Sequence, residues 1–419
     1  MKYSVITFGC RVNQADSLGF EEELLAAGAT AARPEDADLV VVNTCSVTAT
    51  SDQGARQTIR RVARDNPRAR IVVTGCYATR RPDEIAALPN VAQVVCNDDK
   101  PQLLRLIAIS APSAVPSDAD GPCGAAIEPG VAGRTAFTLR VQTGCAEACS
   151  YCIIPSTRGA PRSVPANAVL REVDRVAAAG FKEIALTGVH LGSYGRDLEP
   201  RSSLFELLSR LDAWSASEVL FRISSLEPMD CTREIVDLVV ASDRFAPHFH
   251  LPLQHASDRV LAAMRRPYTI DYYAALVNDI RARIPHASIG SDIIVGFPRE
   301  TDEDFEQLAM YLERSPLTHI HVFPYSDRPG TVASTMGGRA HGTVVRDRAR
   351  RVRDIGSRLT ARFRASQVGT THRALTLDDG TVAVTGNYLK LRIPPGRERN
   401  AWIRVKVMAA AESSLAELC

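Results

Sequence analysis

Cys145-Ala146-Glu147-Ala148-Cys149-Ser150-Tyr151-Cys152 places three thiols on one short loop, directly after the strand-like run 137–142. Thiolate is the usual protein ligand for iron in iron–sulfur clusters. Because a [4Fe–4S] cluster contains four irons, three thiolates leave one iron open to bind a substrate or cofactor. A structural zinc site is the alternative, but zinc normally takes four protein ligands and no fourth Cys or His lies close by in sequence. The spacing therefore favours an iron–sulfur centre with an open iron.

Upstream of this loop, short apolar runs alternate with helical patterns. This alternation predicts βαβ units and a parallel, flavodoxin-like α/β domain over residues 1–110. The predicted strands are 3–8, 39–42, 71–73 and 91–95, and the predicted helices are 15–27, 51–65 and 82–87.

Three of these predicted strands are followed by a cysteine, at Cys10, Cys45 and Cys76. Parallel strands share one direction, so the three thiols gather at the carboxyl edge of the sheet, where open α/β folds place their ligand sites. Free cysteines are also commonly buried as small core residues. Three of them at equivalent strand ends favour a second iron–sulfur site, whereas Cys96 is interpreted as a structural thiol.

The composition is typical of a soluble globular protein with two or three domains. The chain has 419 residues, of which 45% are hydrophobic, and a net charge of +2, and this length exceeds one ordinary core. No apolar run is long enough to span a membrane and the N-terminus does not resemble a signal peptide, so a cytoplasmic location without membrane contact is expected. There, the ten cysteines are metal ligands or free thiols rather than disulfides. Residues 111–135, rich in Pro, Ala, Gly and Ser, are predicted to be a linker, and Cys123 within it is not expected to be a ligand.

The cysteine motifs resemble those of a known enzyme family. The CxxxCxxC spacing, with Tyr151 before the third cysteine, resembles the signature of the radical S-adenosylmethionine (radical SAM) enzymes, which implies that SAM binds the open iron. The segments 9–14 (GCRVNQ), 43–48 (NTCSVT) and 74–77 (TGCY) resemble the N-terminal domain of the methylthiotransferases, a radical SAM family with a second, auxiliary [4Fe–4S] cluster. The resemblance implies that the SAM-cleaving cluster is held by Cys145, Cys149 and Cys152, and the auxiliary cluster by Cys10, Cys45 and Cys76.

Strand-like and helical segments alternate again from residue 136 to about 335. Six such repeats predict an incomplete (β/α)6 barrel within a domain of residues 136–364, which is the fold that the radical SAM resemblance implies. The predicted strands are 138–142, 183–187, 219–224, 248–253, 288–295 and 319–323, and the predicted helices include 167–179, 204–214, 233–240, 272–283 and 302–313.

Barrels of this kind carry their chemistry at the carboxyl ends of the strands. The candidate SAM contacts are therefore Tyr151, Gly188, Ser225, Glu227 and Gln254. Each has an equally good structural explanation as a turn or capping residue. The sequence does not fix whether Asp292 points into or out of the barrel. The nine histidines form no HxxH or HExxH motif and predict no catalytic metal.

Residues 338–364 are dense in arginine and predict a charged helix. A solvated helix is the usual explanation of such a run, and a phosphate-binding surface is the alternative. The β-like segments that follow predict a small antiparallel barrel over 365–419, and 386–394 (GNYLKLRIP) resembles the TRAM domain, an RNA-binding module. With that resemblance the helix is also interpreted as RNA-binding. The predicted RNA contacts are Arg346, Arg350, Arg353, Tyr388 and Lys390.

The methylthiotransferase family has branches that modify N6-threonylcarbamoyladenosine in tRNA, isopentenyladenosine in tRNA, or an aspartate of a ribosomal protein. Most of the motifs, together with 322–326 (VFPYS), resemble the threonylcarbamoyladenosine branch most. The segments 254–258 (QHASD) and 154–156 (IPS) resemble the ribosomal-protein branch. Arg299 stands where the family usually has the second glycine of a Gly-Phe-Pro-Gly-Glu-Thr motif.

The resemblance implies that two SAM molecules are used in each turnover, one to methylate a sulfur at the auxiliary cluster and one to generate a radical. The methylthio group then replaces hydrogen at carbon 2 of the modified adenosine at position 37, in the anticodon loop of tRNA. A reduced flavodoxin or ferredoxin-type electron donor is implied, and a monomer is expected. The other two branches, and a non-catalytic RNA-binding protein with structural metal, remain alternatives.

Overall fold

The N-terminal cysteines follow strands of one parallel sheet. The computed structural model describes residues 1–107, 135–214 and 218–409 and the backbone of 414–418. The first strands are β1 (Lys2–Thr7), β2 (Thr30–Ala31), β3 (Leu39–Thr44), β4 (Arg70–Gly75) and β5 (Val91–Val95), and the first helices are α1 (Arg11–Ala26), α2 (Ala49–Asp65), α3 (Cys76–Arg80), α4 (Pro82–Ala86) and α5 (Leu103–Leu106). The strand order is β2-β1-β3-β4-β5, all parallel, which is the flavodoxin-like order.

β3 lies at the centre of this sheet, and its sequence LVVVNT is continuously buried. Val40 packs with Ile59 of α2 on one face, and Val41 packs with Leu24 of α1 on the other. A parallel strand covered on both faces has no solvent-facing positions, which explains the unbroken apolar run. The carboxyl edge of the sheet remains as the place where polar side chains can form a site.

A short antiparallel ribbon brackets the loop of three cysteines. Its strands are β7 (Gln142–Thr143), before the loop, and β8 (Arg162–Ser163), after it. Helix α6 (Ile154–Arg158) lies between the loop and β8. The ribbon therefore fixes both ends of the loop relative to the first barrel strand.

Six parallel strands form the predicted partial barrel. They are β6 (Phe137–Arg140), β9 (Glu183–Thr187), β10 (Leu220–Ile223), β11 (His248–His250), β12 (Ser288–Val295) and β13 (His319–Pro324). β6, β9 and β10 form one sheet and β11, β12 and β13 another, and an isolated bridge between Ser225 and His250 joins them. β11 ends three residues before the predicted end at Leu253, because Pro252 has no N–H to donate to a neighbouring strand.

Helices cover the outside of the barrel. They are α7 (Ala166–Ala178), α8 (Leu204–Asp212), α9 (Arg233–Ala241), α10 (Asp258–Ala263), α11 (Ile270–Arg283), α12 (Asp302–Arg314) and α13 (Gly342–Ser366). Thr301 and Asp304 form a capping box at the start of α12, which satisfies backbone N–H groups there. α13 buries Ala349, Val352 and Ile355, so the arginine-rich helix has one apolar face against the barrel.

The C-terminal segment closes into a small barrel, as predicted. Its strands are β14 (Thr371–Leu377), β15 (Val382–Thr385), β16 (Lys390–Arg392), β17 (Trp402–Val407) and β18 (Ser414–Leu418). The barrel order is β14-β15-β16-β18-β17. Its strands pair antiparallel, as predicted, except that β16 and β18 run parallel.

The predicted linker at 111–135 lies, apart from its last residue, outside the described residues, and so does Cys123. Within the described ranges, no helix is both long and apolar enough to cross a membrane.

Candidate functional site

The N-terminal thiols, defined as Cys10, Cys45 and Cys76, lie together at the carboxyl edge of the first sheet. Cys10 directly precedes α1, Cys45 follows β3 and Cys76 begins α3, and all three line one cavity. Burial, and then the proximity of the other two thiols, raises the pKa of Cys45 to about 11. Its thiol is therefore protonated at neutral pH until a cation displaces the proton, as expected for a ligand that binds metal as thiolate.

Two glycines allow the chain segments that carry these thiols to meet. Gly9 has φ +89°, and a Cβ there would lie 2.5 Å from the Cβ of Cys45. Gly75 has φ +100°, and a Cβ there would lie 2.2 Å from the carbonyl oxygen of Thr44. Both the backbone conformation and the lack of space require glycine. The glycine before Cys10 and the glycine before Cys76 are thus explained by close approach of the backbone.

Two side chains that the sequence did not single out face the N-terminal thiols. Burial alone would lower the pKa of Arg158, but Cys76, Asp16 and Cys10 lie close enough to raise it overall. The Nδ2 of Asn97 donates to the Sγ of Cys76 at 3.7 Å. A cluster with three thiolate ligands is anionic, so a buried guanidinium offsets its charge and an N–H donor stabilises its sulfur. The donor set and its surroundings fit an iron–sulfur cluster.

The loop thiols, defined as Cys145, Cys149 and Cys152, lie between β7 and α6. Gly144, with φ +76°, begins the loop, and a Cβ there would lie 1.9 Å from the carbonyl oxygen of Ala160. Burial, followed by nearby thiol charge, raises the pKa of Cys145 to about 11 and that of Cys152 to about 12. The backbone N–H of Glu147 lies 3.4 Å from the Sγ of Cys145. Three convergent thiols with an N–H donor suit a cluster as well.

Arg266 and Glu227 form an ion pair beside Cys149. The Nη1 of Arg266 donates to the Sγ of Cys149 at 3.3 Å, and its side chain is 2% exposed. Glu227, a predicted SAM contact, is therefore held at the loop thiols by an arginine. Arg266 could not be predicted from the sequence, because nothing local distinguishes it from its neighbour Arg265.

The other predicted SAM contacts divide into two pairs. Gly188 and Ser225, at the ends of β9 and β10, line the cavity that the N-terminal thiols also line. Tyr151 packs against an apolar cluster that includes Phe297. Gln254 is buried with a left-handed backbone, φ +69°, and neither it nor Tyr151 belongs to the cavity lining. SAM contact by all four residues remains a prediction.

A cavity of about 930 Å³ joins the three parts of the chain. The N-terminal thiols and Arg11 line it on one side, Tyr388 of the C-terminal barrel lines it on another, and the inner face of the central barrel lines it between them. Asp292 lines the cavity, which settles its direction: it points into the barrel. Cavities of this size accommodate a small ligand such as a modified nucleoside.

Tyr388, a predicted RNA contact, belongs to this cavity. Its backbone is left-handed, φ +66°, and its hydroxyl accepts a hydrogen bond from Arg11. The guanidinium carbon of Arg222 lies 3.9 Å from the ring centroid, and the ring of His248 lies 4.7 Å away. Tyr388 is therefore placed to contact a molecule inside the cavity. Lys390, the neighbouring prediction, is exposed on β16.

The arginines of α13 divide by their partners. Arg351 and Arg358 pair with acidic residues of α12, at 2.5 Å from Glu306 and 3.2 Å from Glu313, and are defined as the paired arginines. Three other arginines of α13 are exposed. One of them, Arg350, forms a solvent-exposed ion pair with Asp347 on the same helix. These outward arginines are the three predicted RNA contacts Arg346, Arg350 and Arg353.

Arg299, the departure from the family's glycine, has a left-handed backbone with φ +67°. Its N–H donates to the carbonyl oxygen of Gly338 at 2.8 Å. Glycine adopts this conformation without strain, which gives the physical reason for glycine at this position in the family motif. Arg299 adopts this left-handed backbone conformation at a cost in free energy that glycine would not have.

Family models and known proteins match the chain over most of its length. The model described as Uncharacterized protein family UPF0004 matches residues 2–97, and that of the Radical SAM superfamily matches residues 139–312. The threonylcarbamoyladenosine tRNA methylthiotransferase MtaB of Aquifex aeolicus (strain VF5) is 35% identical over 97% of this chain and 100% of its own length. The tRNA-2-methylthio-N(6)-dimethylallyladenosine synthase of Corynebacterium efficiens is 32% identical over 90% of this chain and 75% of its own length. A solved structure of the radical S-adenosylmethionine methyltransferase TsrM from Kitasatospora setae, with cobalamin and a [4Fe-4S] cluster bound, has a TM-score of 0.56 at 16% identity, covering 80% of this chain and 73% of that one.

The partial parallel barrel, with three thiols on the loop after its first strand, defines a radical SAM enzyme. Since relatives above 30% identity cover nearly the whole chain, it belongs to the tRNA methylthiotransferase family. Members use SAM and carry two [4Fe–4S] clusters. The predicted family, enzyme class and cofactors are confirmed, and the non-catalytic alternative is excluded.

Proposed function

We propose that this enzyme transfers a methylthio group to carbon 2 of N6-threonylcarbamoyladenosine at position 37 of tRNA. The loop thiols hold the SAM-cleaving cluster and the N-terminal thiols hold the auxiliary cluster. The name of the Aquifex aeolicus relative, at 35% identity over 97% of this chain, supports that substrate. We also propose three domains, 1–110, 136–364 and 365–419, joined by the linker 111–135.

The observation that carries the proposal is the single cavity shared by the N-terminal thiols, the barrel and Tyr388. A sulfur transfer requires the sulfur-bearing centre and the target carbon to lie in one space from which water can be excluded. The N-terminal thiols line one wall of that space. Tyr388 exposes its ring in the same space, where an aromatic face can stack on a base splayed out of an RNA loop.

The polar inner face of the barrel favours a polar substituent on the target base. Ser288, Thr318 and four histidines line the cavity together with Asp292, and each of these side chains has atoms that can donate or accept a hydrogen bond. A threonylcarbamoyl group offers a carboxylate, a hydroxyl and amide groups, whereas a dimethylallyl group offers none. A site built from hydrogen-bonding groups discriminates strongly against an analogue that leaves them unpaired. Arg11, at the cavity wall, supplies a cation that suits the carboxylate.

The bound clusters and SAM supply one-electron chemistry and the transferable sulfur. The chain's own residues bind and orient. Arg158 balances negative charge at the N-terminal thiols, and Arg266 holds Glu227 beside the loop thiols. Gly188 and Ser225 leave backbone and hydroxyl groups open to the cavity from the strand ends.

For RNA binding we propose the outward arginines and Lys390 as phosphate contacts on the outer surface, with Tyr388 reaching the base. Exposed arginines bind phosphate oxygens and release counterions. A reduced flavodoxin or ferredoxin-type protein as electron donor, a monomeric state and a cytoplasmic location complete the proposal. The tRNA-modifying names of the relatives support the RNA partner.

Nucleoside mass spectrometry tests the substrate directly. tRNA is compared from a strain lacking this enzyme, from the same strain re-expressing it, and from the strain expressing a Cys149→Ala variant. The expected result is loss of 2-methylthio-N6-threonylcarbamoyladenosine in the first strain and recovery only with the unaltered chain. Recovery with the variant would contradict the role of the loop thiols.

The dimethylallyladenosine substrate is the second candidate, because the Corynebacterium efficiens relative with that name is 32% identical. The same nucleoside profile distinguishes the two, since only the methylthio form of one nucleoside should respond. If no tRNA nucleoside changes, the proposed substrate is wrong, and the ribosomal-protein aspartate becomes the substrate to examine.

A further inference from the structure

A row of imidazoles and one carboxylate crosses the inner face of the central barrel. The parallel register aligns His250 with Gly290 and Gly290 with His319, and it aligns Asp292 with His321. Side chains two residues apart on a strand share a face, so the His-x-His pairs of β11 and β13 both point into the cavity. Asp292 on β12 lies between them.

Three of these side chains converge on one point. The Nε2 of His250 and the Nδ1 of His321 each lie 3.1 Å from the same carboxylate oxygen, Oδ1 of Asp292. The three candidate ligand atoms all lie within 4.8 Å of one another. The substrate recognition proposed above uses these side chains as hydrogen-bonding groups, but it does not depend on their convergence on one point. Imidazole nitrogen and carboxylate oxygen both bind metal ions, so this hydrogen-bonded group is also a candidate metal site.

We propose that His250, Asp292 and His321 bind one divalent cation of the zinc class inside the barrel cavity. The site uses none of the cysteine ligands, and its occupancy by a metal ion can be measured without tRNA. Zinc bonds to imidazole nitrogen and carboxylate oxygen are about 2.0–2.2 Å, so tetrahedral ligand atoms are separated by about 3.4 Å. The two nitrogen–oxygen separations of 3.1 Å need to widen by a few tenths of an ångström, and the separation of the two nitrogens, which is at most 4.8 Å, needs to reach the same value.

The donor set determines the class of ion and its chemistry. Two imidazoles and a carboxylate suit zinc, cobalt(II) or iron(II) better than magnesium or calcium, which prefer oxygen ligands. Three protein ligands leave a tetrahedral ion one open position, as in catalytic rather than structural zinc sites. All three ligands line the cavity, so an oxygen atom of a bound molecule or water can complete the coordination.

His319 provides a matched control beside the site. Its ring lies 6.0 Å from that of His250 and 5.7 Å from that of His321, but its Nδ1 lies 3.1 Å from the hydroxyl of Thr318 instead of the carboxylate. Its Nε2 faces Gly290, where a Cβ would approach to 2.0 Å. A His319→Gln variant therefore alters the same imidazole row and leaves the three proposed ligands in place.

The test is zinc binding by the enzyme with both iron–sulfur clusters loaded. Zinc per chain is measured after desalting, and affinity is measured by chelator competition, for the unaltered enzyme and for Asp292→Asn, His321→Gln and His319→Gln. The unaltered enzyme and His319→Gln should bind one zinc. The other two variants should bind it at least about 100-fold more weakly, since losing even a hydrogen-bond partner of a ligand weakens metal binding by about 10–100-fold.

Zinc K-edge X-ray absorption separates this site from zinc on unoccupied thiols. A first shell of nitrogen and oxygen at about 2.0 Å supports the proposal, whereas sulfur at about 2.3 Å contradicts it. The spectrum of the unaltered enzyme decides this even if a variant does not fold. Absence of zinc uptake, or uptake that Asp292→Asn and His321→Gln leave unchanged, would overturn the proposal and leave a hydrogen-bonded cluster.

Discussion

Replacing Gly9 with alanine tests whether the N-terminal thiols act as one ligand set. A Cβ at Gly9 would lie 2.5 Å from the Cβ and 2.6 Å from the Sγ of Cys45. Non-bonded carbon atoms normally approach to about 3.5–4.0 Å, so Cys45 or the backbone must move by about 1 Å. Ligand distances in metal sites tolerate about 0.2 Å, and a displacement of that size should therefore remove Cys45 from the set.

Gly28 supplies a matched control for the backbone cost. Gly28 has φ +77°, close to the +89° of Gly9, but a Cβ at Gly28 meets no heavy atom within 4 Å. A left-handed backbone costs an alanine about 1–2 kcal/mol at either position. Overpacking against Cys45 adds about 1–3 kcal/mol at Gly9 alone. The difference between the two variants therefore isolates the contact with Cys45.

Iron content, SAM cleavage and methylthio product are measured on both variants after anaerobic reconstitution. Gly9→Ala should lose half of the iron and keep SAM cleavage close to that of the unaltered enzyme, with methylthio product reduced about 100-fold. Gly28→Ala should keep both clusters and full activity. Equal iron loss in both variants, or full product formation by Gly9→Ala, would refute the assignment of the N-terminal thiols to one cluster.

Three further predictions follow from the same contacts. Arg266→Gln leaves the Glu227 carboxylate unpaired beside Cys149. It should lower the free energy of unfolding by about 3 kcal/mol, the lower end of the range for a buried ion pair, because Glu227 is 23% exposed. Adding Glu227→Gln should restore part of that loss in denaturant unfolding, and no recovery would argue against the pair. Changing the outward arginines to glutamine should reduce the slope of log affinity for tRNA against log salt by about 2. Changing the paired arginines should alter this slope less. If the outward-arginine variant has the same slope as the unaltered enzyme, α13 is a solvated helix that does not bind RNA. In the cluster-free protein, stability should fall as pH rises from about 8.5, the ordinary thiol pKa, towards the raised pKa of about 11 of Cys45. In that pH window only the unfolded chain releases the proton of the Cys45 thiol, so the Cys45→Ala variant should lose less stability as pH rises. A free energy of unfolding that does not change with pH would contradict this prediction.

Local patterns predicted most of the fold. The predicted bounds of β5, β9 and β12 agree with the structure, because short apolar runs and the turn residues that flank them are visible in a short window. β2 was missed because it has only two residues, Thr30–Ala31, and it depends on pairing with β1. β18 was missed too, although it closes the C-terminal barrel by pairing with two other strands.

The sequence also predicted both cysteine sets but not their surroundings. A cysteine after each of three parallel strands predicts a common edge, and three cysteines on one loop are close by necessity. The arginines beside them could not be found in this way. Arg158 reaches the N-terminal thiols from the central barrel, and the partners of the α13 arginines lie on α12. Such contacts depend on packing between elements distant in sequence.

The sequence by itself determined the ligand chemistry, the order of most strands and helices, and the family, because each rests on residue types at short, fixed spacings. Only the tertiary structure decided which distant side chains share a space. It brought Arg11 and Tyr388 into contact across 377 residues of chain. It also placed the side chains of His250 and His321 at the carboxylate of Asp292. Strand register and domain packing fix those positions, and neither can be obtained from one strand alone.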